Sequence, residues 1–114
     1  MPVKKPLPNV LISTTPFIEG RPVREYKGAI YTTSIMGANV VMDLLAAIRD
    51  FIGGKSKSYE RILDHARQDA LGDLMIQADA LGANAIIAVD LDYNTVGPDG
   101  SMLMVSVSGT AVVI

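Results

Sequence analysis

The spacing of apolar and polar residues changes along the chain, and each change marks an element. VLIST (10–14) is a short apolar run, long enough for a brief strand. TPFIEGRP (15–22) reads as a turn, punctuated by Gly20 and Pro22. VREYKGAIYTT (23–33) is rich in β-branched and aromatic residues and predicts a strand. Gly28 in its middle predicts a bulge or a close neighbour. Over 34–54 the period becomes helical, with Val40, Val41, Leu44, Leu45, Ile48 and Ile52 on one face and Gly53-Gly54 as the stop. A longer helix is predicted over 55–82. Its stripe is Ile62, Leu63, Ala66, Ala70, Leu71, Leu74, Ala78 and Leu81, opposite Asp64, Arg67, Gln68 and Asp79.

After Gly82 the helical period ends. ANAIIAVDLDYNTV (83–96) reads as a strand, GPDG (97–100) as a turn, and SMLMVSVSGTAVVI (101–114) as a returning strand. Strands at both ends with helices between them predict an α+β fold. The expected form is an antiparallel sheet with two helices on one face, in the order β-β-α-α-β-β. Residues 1–9, with Pro2, Pro6 and Pro8, read as an extended arm ahead of a single domain over 10–114. On the last strand Leu103, Val105, Val107, Ala111 and Val113 share the core face. The other face (Met102, Met104, Ser106, Ser108, Thr110, Val112, Ile114) carries no charge, which predicts a subunit contact or the inner wall of a ring.

Composition narrows the chemistry. With 114 residues the expectation is one domain. Cysteine is absent, which excludes disulfides, thiolate metal sites and thiol catalysis. The net charge of −2 argues against general affinity for nucleic acid or an anionic membrane. Neither a secretory signal nor a transmembrane run is legible, so the expected location is the cytoplasm. Hydrophobic residues make up 49% and charged residues only 19%, a greasy balance that predicts surface covered by further subunits.

Four stretches invite a chemical reading. In VDLDYNTVGPDG (89–100), Asp90, Asp92 and Asn94 alternate as in a calcium loop. The sixth place holds Thr95 instead of glycine and the twelfth Ser101 instead of glutamate, and a strand precedes it, so the loop fails. What survives is a row of oxygen donors on one strand face. It is a solvated face, a hard-cation site completed by a neighbour, or a carboxylate pair for acid–base work. FIGGKSKS (51–58) lacks the leading glycine of a phosphate loop, since position 49 is Arg49. Gly53, Gly54, Lys55 and Ser56, with Arg61 one turn on, still make a candidate anion site ahead of the long helix. His65, the single histidine, is a metal candidate with Asp69 at i, i+4. Met102-x-Met104 reads as packing before thioether ligation.

Several segments together resemble one family. They are ISTTP (12–16), GAN (37–39), IRDFIGGKSKSYE (48–60), ALGANAI (80–86), VDLDYNTVG (89–97) and GSMLMVSVSGTAV (100–112). In this order, over about residues 11–113, the chain resembles the YbjQ-like family of uncharacterised small bacterial and archaeal proteins. The resemblance implies an α+β fold like the dodecin subunit, a homopentameric ring, and metal binding of the heavy-metal kind. The cofactor it implies is therefore a metal ion, and the partner is the chain itself.

Overall fold

The computed structural model describes residues 7–37, 57–98 and 102–114. Within them lie strands β1 (Leu11–Ile12) and β2 (Glu25–Met36), helix α1 (Lys57–Ala80), and strands β3 (Ala85–Val96) and β4 (Met102–Val113). They form an α+β unit in which α1 covers one face of a four-stranded sheet of order β1-β3-β4-β2.

The sheet is mixed, which corrects the antiparallel expectation. β4 is antiparallel to both neighbours, but β1 pairs parallel with β3, Leu11 opposite Ala85 and Ile12 opposite Ile86. A two-residue strand is enough here because it only caps one end of β3. The predicted helix over 34–54 is corrected at its start. Ser34, Ile35 and Met36 continue β2 and pair with Val105, Met104 and Leu103. β4 is long enough to hold them in its ladder, and the tertiary pairing overrides the local helical period. The remainder of that predicted helix falls outside the described residues. Among the described residues the order is β-β-α-β-β with one helix, not β-β-α-α-β-β.

α1 is shaped for close approach. Ala66, Ala70, Leu74 and Ala78 are buried, and the small side chains bring the axis down onto Ile30, Val105, Val107 and Ala111. The helix ends in a Schellman motif. Ala83 N–H donates to Ala78 C=O (3.0 Å) and Gly82 N–H to Asp79 C=O (2.9 Å), with Gly82 at φ 81°. Gly72 lies mid-helix under Leu7 of the N-terminal segment, whose Cδ2 would stand 3.4 Å from an added β-carbon.

Two bulges shape the sheet. The first is at Tyr26/Gly28 in β2, where Gly28 takes φ 131°, as its place in the sequence predicts. The second is in β3. Ile87 faces Thr110 and Asp90 faces Ser108, so Ala88 and Val89 together oppose Gly109. A β-carbon at 109 would stand 2.6 Å from Ile86 Cγ2, 3.2 Å from Val89 Cγ2 and 3.3 Å from the Ile87 carbonyl oxygen. Both methyls belong to β-branched side chains with little rotamer freedom.

A second cluster sits beyond the sheet. Ala85, Ile87, Val112 and Ile114 pack against Ile18 and Val23. At Val112 and Ile114 the uncharged face of the last strand is thus covered by the chain's own 18–23 segment. Asn84 fastens the end of the strand, accepting from Ile114 N–H (2.8 Å) and donating to Ile114 C=O (3.1 Å).

Two glycine substitutions are expected to act in opposite directions. Gly109→Ala overpacks the bulge and lowers unfolding free energy by about 1–3 kcal/mol. Gly72→Ala meets only the flexible Leu7 side chain and raises it by up to about 1 kcal/mol through helix propensity. Urea denaturation of the two variants measures both signs.

Candidate functional site

The bulge decides which way the carboxylates face. Before it, Ile86 points to the α1 side, opposite Ala111. A regular strand would then send Ala88, Asp90 and Asp92 the same way. The extra residue reverses the parity, so Val89 and Leu91 join the core under α1 instead. Asp90, Asp92 and Asn94 emerge on the open face, where all three are exposed.

The chain holds this bulge from outside the sheet. Ala88 N–H donates to Thr15 C=O (2.8 Å) and Val89 N–H to Ser13 C=O (3.1 Å). Ala88 itself takes φ 54°, a left-handed conformation that β-carbons disfavour. The segment that supplies the carbonyls is braced by its own hydroxyls. Thr15 N–H donates to Ser13 Oγ (3.1 Å), the Ser13 and Thr15 hydroxyls are hydrogen-bonded to each other, and Thr15 Oγ1 donates to Phe17 C=O (2.6 Å). Sequence reading missed Ser13, Thr15 and Gly109 as determinants. The usable signal was the parity break between Ile86 and the Val89–Leu91 pair, set against a lone glycine in the returning strand.

On the open face the rows run across three strands. Asp90 lies opposite Ser108, which lies opposite Tyr31; Asp92 lies opposite Ser106, which lies opposite Thr33. Met104 separates Asn94 from Ile35 in the next row. Two carboxylates thus stand at alternate positions of one strand, about 7 Å apart along the backbone, beside hydroxyls. The negative charge of Asp90 raises the Asp92 carboxyl above its ordinary value, and a side-chain hydrogen bond with Asp90 adds to it, with a small further push from burial.

The remaining candidates are dispersed. His65 is on α1, its side chain 70% exposed, with Nε2 3.6 Å from Asp69 Oδ2. α1 packs on the opposite face of the sheet from Asp90 and Asp92, so the histidine and the carboxylate row do not meet within one chain. Asp64 is engaged with Arg67 at 3.2 Å. Among the described residues no three side chains of the His, Cys, Asp or Glu type gather for a metal ion. Gly53, Gly54, Lys55 and Ser56 of the anion candidate fall outside the described residues, and Arg61 is a position early in α1. Met102 and Met104 are half-buried on the open face.

Among the described residues, one helix on a mixed four-stranded sheet, with a polar row on the opposite face, defines a small α+β protein. The chain belongs to the YbjQ family, whose model, described as "Putative heavy-metal-binding", matches residues 10–114. Two strains of Caulobacter vibrioides carry a "UPF0145 protein" that is 77% identical over 105 residues, 92% of this chain and 100% of theirs. A crystal structure of a protein of unknown function from Pediococcus pentosaceus, assigned to the DUF74 family, superposes with a TM-score of 0.62. It is 19% identical and the match covers 92% of this chain and 97% of that one, a likeness of fold.

The raised Asp92 group has a definite linkage sign. Its folded-state pKa exceeds the unfolded value near 3.8, so the folded state binds the proton more tightly. The stabilisation from protonation is complete below the unfolded value and is lost as pH rises through the folded one. A carboxyl-carbon NMR titration is expected to show Asp92 titrating above the ordinary range in the native chain and returning to it in Asp90→Asn. Ordinary titration of Asp92 in the native chain contradicts this.

Proposed function

We propose that this protein is a cytoplasmic, ring-forming homo-oligomer, a pentamer, that serves as a binding scaffold and not as a dedicated enzyme. The observation that carries the reading is a pair of strand edges, on opposite sides of one sheet, that have no partner strand among the described residues. Gln77 Nε2 donates to Tyr31 C=O (3.0 Å), which places that carbonyl on the outer side of β2. The ladder alternates, so Ala29, Thr33 and Ile35 also turn their backbone groups outward. On the far side β1 occupies only Ala85 and Ile86, and Ser13 and Thr15 take the amides of the bulge. Beyond that point the backbone groups of Leu91, Tyr93 and Thr95 face outward along the edge of β3, with no partner strand among the described residues.

Long unpaired edges are templates for pairing with another chain. β2 and β3 are both antiparallel to β4 and so run parallel to each other. A copy related by rotation therefore offers β3 to β2 in parallel, and repetition closes a ring. Exposed apolar side chains beside the β2 edge, Tyr31 (75% exposed) and Ile35 (58%), suit burial in that joint. Among the described residues no helix is long and apolar enough to cross a membrane.

A second reading concerns what the ring holds. The Asp90–Asp92 repulsion that raises the Asp92 pKa is relieved by a proton or by an oxygen-seeking cation. In a ring the row recurs once per copy, beside the next copy's β2. That belt favours cation binding, with proton transfer by Asp92 as the enzymatic alternative.

Light scattering at micromolar concentration tests the assembly. The native chain is expected to give a pentamer of its 12.1 kDa subunit. Thr33→Pro removes an outward N–H without costing a ladder bond inside the chain. It is expected to give a 12.1 kDa species with its strand circular dichroism retained. A native chain that runs at subunit mass overturns the proposal.

A further inference from the structure

We infer that the heavy-metal chemistry attached to the family does not extend to this chain: it lacks the donor set for a soft or borderline metal ion. Heavy metals take thiolate and imidazole ligands, usually in threes or fours. The whole sequence contains no cysteine and one histidine. The histidine's neighbour at ion-pair distance is Asp69 at 3.6 Å, and no third ligand of the His, Cys, Asp or Glu type joins them among the described residues.

Among the described residues thioethers do not fill the gap. Met36 and Met75 pack against the main core under α1. Met102 and Met104 lie on the open face, with Val96 and Asn94 as their β3 neighbours and Ile35 opposite Met104 on β2. His65 is on the helix covering the other face, so its imidazole and the Met102 and Met104 thioethers are separated by the thickness of the sheet. Rotation symmetry does not repair this. Copies joined edge to edge carry their helices on one side of the continued sheet and their Met104 and Asp92 rows on the other. The site-forming side chains that converge are carboxylates, amides and hydroxyls, all oxygen donors. This inference rests on the donor inventory and holds for a monomer as for a ring.

The test is equilibrium dialysis of the full chain against Cd²⁺, Zn²⁺ and, under reducing conditions, Cu⁺ at micromolar free metal, read by elemental analysis. Thermal melting in the same buffers gives a second readout, since a ligand that binds the folded form raises Tm. The expected result is substoichiometric retention of all three ions and no Tm shift. His65→Ala and the pair Met102→Leu with Met104→Leu are expected to behave as the native chain does. Saturable, stoichiometric retention of any of the three ions by the native chain overturns the inference. Its loss in one of those variants would name the ligand. Light scattering on the same samples reports assembly separately, so failure here and failure of the ring are distinguishable.

Discussion

One close contact governs the arrangement of this molecule. Gly109 passes beneath Ile86 and Val89 at a distance no side chain tolerates, 2.6 Å from a methyl to where a β-carbon would sit. That vacancy lets β3 carry an extra residue against β4. The extra residue rotates the rest of β3 by one face. Without it Asp90 and Asp92 would point beneath α1, into a layer of Ala66, Ala70, Leu74 and Val107 that has no partner for a charge. With it Val89 and Leu91 go inward and the carboxylates go out. The hydroxyl-braced turn at Ser13–Thr15 then fixes the bulge by accepting both of its amides. A polar row, a two-residue strand and a glycine distant in sequence therefore belong to one device.

The helix layer follows the same economy of space. Alanines at 66, 70 and 78 bring α1 close to the sheet, so the core is thin and rests on a few larger groups, Leu74, Ile86, Val105 and Val107. A thin core on one face leaves the other face and both edges to be satisfied elsewhere. The 18–23 segment covers the end of the open face near Ile114. Gln77 satisfies one outward carbonyl of β2. Among the described residues Tyr31, Ile35 and the outward backbone of Leu91–Thr95 have no such cover, which suits a neighbour in the proposed ring.

Much of the framework was legible in the sequence, because periodicity reports burial. The long helix, its Gly82 stop, the Gly28 bulge and the strands flanking GPDG all follow from local spacing and turn chemistry. The shared face of Asp90, Asp92 and Asn94 was legible too, since alternation within a strand is local. Non-local pairing escaped that reading. Ser34–Met36 carry a helical period but lie in the ladder because Leu103–Val105 extend far enough to hold them. β1 joins parallel to a partner more than seventy positions away, and nothing within VLIST reveals that. The direction of the carboxylate face needed the bulge, whose cause at Gly109 lies on the other strand. His65 and the aspartates of β3 are separate metal candidates along the chain, and the sheet stands between them.

The absence of native cysteine makes the register directly measurable by paired cysteines. With the bulge, Leu91 stands opposite Val107, while before it Ile86 stands opposite Ala111. Leu91→Cys combined with Val107→Cys is expected to close an intrachain disulfide readily, because facing positions of antiparallel strands meet its geometry. Asp90→Cys combined with Val107→Cys is expected to stay reduced. A disulfide at 90–107 and none at 91–107 would mean that β3 runs without its extra residue, and the account of the carboxylate face would be wrong.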